Sequence, residues 1–275
     1  PMRPLRLAVG LLLCCLACAW PVAARAGQHL AIPGSGDSQT LLRDLAEQFG
    51  RANPGTTVDI PDSVGSSGGR KAVLEGRATL GRVANSSAAK EAANGLAYLE
   101  FARTPVAFAV HPSVAGVADI TPEQALGIFS GTIADWSELG GKPGKIYPIA
   151  RETGDSSWSA LCASLPGFTN IATPTGKVFY TTPEALKAVQ DHPGTIGFGP
   201  LAMFATGGVR ILTLSGRAAY TPGAGLGDYP VSIPLGLVWK GEPGPLERRF
   251  LEFVRSPEAA SAIRRHSCVP AGARP

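Results

Sequence analysis

Past residue 26 the sequence has no apolar stretch near the roughly 20 residues that a membrane-spanning helix needs, so a helical membrane domain is excluded there. A surplus of charge is missing too. Removing residues 1–26 takes away three arginines and no acid, which leaves 22 basic against 21 acidic residues. A balance of +1 offers no general field for nucleic acid. The four histidines, His29, His111, His192 and His266, lack the paired-His or His-Glu spacing of a zinc site, so no metal is expected. Gly34-Ser35-Gly36 approaches the Gly-x-Ser-x-Gly turn that presents a serine nucleophile without completing it. The sequence therefore argues against an enzyme and calls for no cofactor. No internal repeat or low-complexity tract appears.

What is present begins with a leader. Arg3 and Arg6 precede an apolar run over residues 7–20, and Ala24-Arg25-Ala26 sets small residues before Gly27. That is the layout of a secretory signal over residues 1–26. Leu16-Ala17-Cys18 offers a lipoprotein alternative, weakened by Cys15 where leucine is usual. Cys14, Cys15 and Cys18 leave with the leader, and only Cys162 and Cys268 stay behind. In an oxidising compartment these two are a candidate disulfide, with two separately buried thiols as the alternative. A bridge would run between the two halves of the fold expected below and would limit their motion.

Three helix starts are marked by a hydroxyl residue, then proline, then glutamate: Thr121-Pro122-Glu123, Thr182-Pro183-Glu184 and Ser256-Pro257-Glu258. The hydroxyl caps free N–H groups, proline suits the first helical position and glutamate suits the positive end of the dipole. Short β-rich runs lie between them, at 106–110, 146–149, 195–198, 209–214 and 235–239. Strands that alternate with helices predict an α/β fold.

Three polar loops carry the functional signal. The first is Gly34-Ser35-Gly36-Asp37-Ser38-Gln39-Thr40, after which Leu41, Leu42, Leu45 and Phe49 recur at helical spacing. The second is Gly65-Ser66-Ser67-Gly68-Gly69, and the third is Arg151-Glu152-Thr153-Gly154-Asp155-Ser156-Ser157. A helix start leaves about four N–H groups without partners and carries roughly half a positive charge, so an oxyanion can satisfy it. Glycine lets the backbone approach, hydroxyls add donors, and Arg151 would bring a planar cationic fork. Taken singly, each loop could equally be a Gly/Ser turn that only caps its helix.

With these loops in place, the sequence resembles the periplasmic phosphate-binding proteins of phosphate ABC transporters. The resemblance rests on the Gly65–Gly69 motif, on "ITPEQALGIFSGTIADW" at 120–136, on Arg151 with its loop, on "PGTIGF" at 193–198 and on "FLEFVRSPEAASAIRRHSCVP" at 250–270. It implies a two-lobed type II periplasmic binding protein fold with two crossing hinge strands. The first lobe would be residues 27–108 and 229–275, the second 109–228, with crossings near 108–112 and 229–234. It further implies a periplasmic, monomeric substrate-binding protein that delivers inorganic phosphate to an ABC transporter permease.

Residue by residue, the resemblance carries ligand contacts onto Ser38, the Gln39 backbone, Ser66 and Arg151, and then Asp155, Ser156 and Ser157 where the family has Ser-Gly-Thr. The family also has an aspartate that accepts the proton of bound hydrogen phosphate. Here Ala84 stands at or beside that place. Asp155 is the first substitute, although capping its helix is an equal alternative, and Asp37 is a weaker one. Without an acceptor, sulfate or a phosphate ester becomes an alternative ligand, and a signalling or adhesion role on the same fold an alternative function. Arg70 and Arg82 are expected on solvated surface, or else as added charge near the cleft.

Overall fold

A computed structural model describes residues 27–272, and the secretory signal expected over residues 1–26 lies outside them. From the N-terminus the elements are β1 (Gln28–Ala31), α1 (Gln39–Ala52), β2 (Thr56–Asp59), α2 (Gly65–Leu74), β3 (Gly81–Ala84), α3 (Ala88–Ala93) and β4 (Ala97–Val110). Next come β5 (Asp119–Ile120), α4 (Pro122–Ser130), β6 (Tyr147–Arg151), α5 (Ser156–Ser164), β7 (Lys177–Phe179), α6 (Thr182–Asp191) and β8 (Thr195–Pro200). The chain closes through α7 (Leu201–Phe204), β9 (Arg210–Ile211), β10 (Thr213–Leu214), β11 (Ser232–Trp239), α8 (Pro245–Phe253), α9 (Pro257–Arg265) and β12 (Val269–Pro270). The predicted α/β alternation is present.

The long strand β4 organises the molecule because it changes partner midway. Its residues 97–105 pair antiparallel with β11, and its residues 106–110 pair antiparallel with β8. On the β11 side, β3 follows antiparallel to β11. A parallel bridge between Gly34 and Arg82 then ties β3 to the segment after β1, and β1 pairs parallel with β2. On the β8 side, β6 lies parallel to β8, and β7 parallel to β6. The second connection runs through residues 229–231, where Val231 O accepts the Val106 N–H and Tyr229 Oη donates to Val106 O. Two chain segments thus cross side by side at Val106, where the sheet changes partners.

Each half has its own aromatic core. Phe49 of α1 meets Phe250 of α8 edge-on at 5.3 Å, on the β11 side. On the other side Phe129, Phe198, Trp158 and Phe168 interlock with ring centroids 5.1–6.5 Å apart. Burying each such ring contributes about 1.5–3 kcal/mol. The helical spacing of Leu41, Leu42, Leu45 and Phe49 is realised in α1, where all four are buried.

Three local expectations need correction. Thr182 does not cap α6: Thr181 does, through its Oγ1 and the Glu184 N–H, and Thr182 becomes the first helical residue with its hydroxyl turned elsewhere. The Gly65–Gly69 motif is no loop ahead of a helix; it is the first half of α2 itself. A Cβ on Gly69 would stand 2.9 Å from Gly34 Cα and from Arg82 O, so glycine is what lets this helix sit against the β1–α1 loop. Finally, Cys162 and Cys268 are free thiols, and the candidate disulfide is not formed. Each sits instead in apolar packing, one on α5 and one after α9, where burial pushes the Cys268 thiol up to about 12 and raises Cys162 as well. Cys268 is a fully buried thiol and Cys162 a half-buried one, each held away from the reactive thiolate form.

Candidate functional site

In open α/β sheets, ligands collect at the carboxyl ends of parallel strands. A cleft of about 420 Å³ lies there. It is lined by residues that follow β1 (Ser35, Gly36, Asp37), by the start of α2 (Gly65, Ser66, Ser67), and by Ala84 and Asn85 at the end of β3. From the other side come Arg151 at the end of β6, Asp155 and Ser156 beyond it, and Tyr180, Thr181 and Thr182 after β7. Both halves of the molecule therefore contribute a wall. Three cations (Arg70, Lys90, Arg151) and three carboxylates (Asp37, Glu152, Asp155) line it.

The first wall is held by a residue that the sequence reading left on the surface. Arg82 is fully buried, and its guanidinium donates from Nε to Ser35 O and from Nη2 to Pro61 O, each at 2.6 Å, and from Nη1 to Ile32 O. One planar fork thus ties the loop after β1 to the loop after β2. Burial pulls its pKa down to about 10, aided by the nearby charge of Arg43, so it stays charged at neutral pH. Arg70 is not solvated either. It lines the cleft while its Nε and Nη2 donate to the fully buried Glu91, which also accepts from Ser86. Burial alone would raise the Glu91 pKa, but the hydrogen bonds from Arg70 and Ser86 outweigh it and hold the carboxylate below its ordinary value.

In the second wall Arg151 is 2 % exposed and already partnered. Its Nη2 meets Asp155 Oδ2 at 2.7 Å, its Nε donates to Phe179 O at 3.1 Å, and its Nη1 donates to Thr182 Oγ1 at 3.2 Å. The fork is thus aimed by Asp155 and the β7–α6 turn; Nη2 also donates to Tyr180 O at 3.5 Å, so a single N–H, on Nη1, is left for an anion oxygen. Asp155 also caps α5, accepting the Trp158 N–H at 3.0 Å. Burial raises its pKa to about 6; Arg151 pulls the other way, and the neighbouring Asp37 adds to the rise. The short ion pair and the raised pKa are compatible, because desolvation and a like charge together exceed the attraction of one guanidinium.

The two walls touch through Asp37. Its carboxylate, 1 % exposed, accepts from Thr182 Oγ1 at 2.5 Å and from Ser156 Oγ, both on the opposite side. The close approach has a steric basis, since a Cβ on Gly36 would stand 2.8 Å from Pro183 Cδ.

Of the residues singled out in the sequence, Ser66, Arg151, Asp155 and Ser156 line the cleft, whereas Ser38, Gln39 and Ser157 do not. Ser66 Oγ accepts the Ala84 N–H at 3.0 Å, which leaves its own hydrogen for another acceptor. Ser38 and Ser157 lie one position behind Asp37 and Ser156, fully buried, with hydroxyls that have no partner among the described residues. The Gln39 N–H closes the turn onto Gly36 O. Thr182 was missed because the Thr-Pro-Glu motif read as its cap; the second threonine, Thr181, was the available signal.

A family model described as the PBP superfamily domain matches residues 21–258. Among curated proteins the chain is 29% identical over 241 residues to "Phosphate-binding protein PstS" of Bacillus subtilis (strain 168), covering 87% of this chain and 79% of that one. Among solved structures it superposes on one from Clostridium perfringens, described as a phosphate ABC transporter substrate-binding protein with bound phosphate. The TM-score is 0.79 at 25% identity, over 89% of this chain and 100% of that one. An ABC-type phosphate transport receptor from Vibrio cholerae shares the fold with a TM-score of 0.62 at 21% identity, over 87% and 99% of the two chains. The chain belongs to the PBP superfamily and has the two-lobed type II periplasmic binding protein fold.

Proposed function

We propose that this protein is a periplasmic, monomeric solute-binding protein that holds inorganic phosphate in its interlobe cleft and delivers it to the permease of an ABC transporter, without catalysis. The observation that carries this reading is the convergence of three helix starts, those of α2, α5 and α6, together with Arg151 and the turn ahead of α1, on one cleft. Each helix start supplies N–H groups and a positive dipole end to an oxyanion. Ser66, Ser156 and Arg151 would make direct contacts, and Asp155 would aim the guanidinium. Ser38, the Gln39 backbone and Ser157 would join if the walls shift slightly to admit the anion; the two buried hydroxyls would then gain the acceptor that the protein does not provide. The named relatives from Bacillus subtilis and Clostridium perfringens support phosphate as the anion.

The lobes would be residues 27–108 with 229–275, and 109–228. The hinge would lie where β4 changes partners beside residues 229–231. Closure on the ligand would then be the signal a permease reads. No helix among the described residues is long and apolar enough to cross a membrane, which accords with a protein held outside the bilayer.

Isothermal calorimetry on dialysed protein tests this reading. Phosphate should bind with a Kd of about 1 μM or tighter, as expected of charge-assisted hydrogen bonds in a closed site. Tight sulfate binding with none for phosphate would overturn the assignment.

A further inference from the structure

Most of the positive charge that lines the cleft is spent before an anion arrives. Arg151 is paired with Asp155 and keeps one N–H, and Arg70 is paired with the buried Glu91. Asp37 and Glu152 add two carboxylates that have no ion-pair partner among the described residues. With both pairs close to neutral, an entering oxyanion would meet like charge. The remaining lining cation is Lys90, on α3. We propose that Lys90 is an anion-binding residue of this cleft, supplying from its exposed edge the unshared positive charge that draws the oxyanion in and balances it once bound. This rests on the phosphate reading above and adds a contact that the resemblance does not carry over.

The local structure holds the backbone of Lys90 and leaves its ammonium free. Ser87 caps α3 by accepting the Lys90 N–H at 3.3 Å, and the Lys90 carbonyl accepts from Asn94 Nδ2 at 3.0 Å. The next residue, Glu91, is fully buried and anchors the helix through Arg70 and Ser86. Both Glu91 oxygens are taken by Arg70, so this neighbour does not claim the lysine. Lys71 and Lys187 each meet an acid four residues on, whereas that place after Lys90 is held by Asn94. Lys90 is exposed, and its Nζ has no ion-pair or hydrogen-bond partner among the described residues.

A lysine suits this task better than a second planar fork. Its ammonium is compact, sits on a flexible four-carbon stem and offers three donors that turn toward whatever anion is present. Cleft walls of low dielectric focus its field inward, and salt screens it because the group stays in reach of water. Without Lys90, the unpaired carboxylates of Asp37 and Glu152 would stand unopposed.

Calorimetry with inorganic phosphate at about 20 mM and about 500 mM NaCl tests the proposal. Lys90→Met should weaken binding at least about fivefold at the lower salt, the least expected when one of two opposite charges about 4 Å apart is removed even in water. The gap from wild type should narrow at the higher salt. Lys90→Arg keeps the charge and should stay within about twofold of wild type. Lys71→Met, at an exposed lysine of α2 paired with Glu75, should leave the affinity unchanged at both salts. Because the Lys90 side chain is exposed, its loss leaves the core intact. A smaller loss for Lys90→Met, a loss that salt does not narrow, or an equal loss in Lys71→Met or Lys90→Arg overturns the proposal. Wild-type protein that binds no phosphate at either salt would instead defeat the function proposed above.

Discussion

Arg82→Met is expected to destabilise the protein by about 3–5 kcal/mol, because three backbone carbonyls lose their side-chain donor at once. Methionine fills most of the volume, so the loss reports hydrogen bonding more than a cavity. The change should appear as a lower urea midpoint with an unaltered slope. Arg77→Met, at an exposed arginine paired only with Glu75, should stay within about 0.5 kcal/mol of the parent. Equal midpoints for the two variants would show that Arg82 does not hold the loops. Anion affinity should fall with Arg82→Met as well, since the loop it ties down carries Ser35 and Asp37 into the cleft.

Arg151→Ala should abolish measurable phosphate binding, a loss of at least about a thousandfold, since it removes a fully desolvated charge-assisted contact. The same change leaves Asp155 buried without its cation, which costs roughly 3–5 kcal/mol of stability on its own. The two effects can be separated. In Arg151→Ala with Asp155→Asn the stranded charge is gone, so stability should recover by about 1–3 kcal/mol while binding stays absent. A double variant that regained phosphate affinity would show that Arg151 only supports the fold. Thermal unfolding alongside calorimetry reads both quantities from one preparation.

These two arginines show how far residues alone can be read. Arg151 stood at the head of a Gly/Ser loop after a strand, a local pattern visible in sequence, and it lines the cleft. Arg82 carried no local cue. Its role depends on three carbonyls that are 47, 50 and 21 residues away in the chain, and only the folded sheet brings them together. Asp37 was visible as an acid within a glycine loop, yet its partners Ser156 and Thr182 come from the far half of the fold, so its position at the junction could not be ranked. Thr182 was obscured by a neighbour: two adjacent threonines precede Pro183, and either could cap the helix by sequence alone. The α/β alternation, the amphipathic face of α1 and the caps at Thr121 and Ser256 were legible because each is decided within one or two turns of chain. The state of the cysteines was not legible in the same way. Whether Cys162 and Cys268 meet depends on the distant packing of α5 and α9.

The arrangement joins fold and binding through one physical device. Parallel strands end at the cleft, and α2, α5 and α6 begin there, beside residues from both halves of the molecule. A ligand that satisfied donors on both walls would also hold the walls together, which would make binding and closure the same event.

The most direct measurement is a crystal structure of the protein grown with phosphate at a concentration well above its Kd. The account predicts a tetrahedral anion between the lobes, within hydrogen-bonding distance of Ser66 Oγ, Ser156 Oγ and the Arg151 guanidinium. A phosphate bound elsewhere on the surface, with the three side chains arranged as they are now, would contradict it.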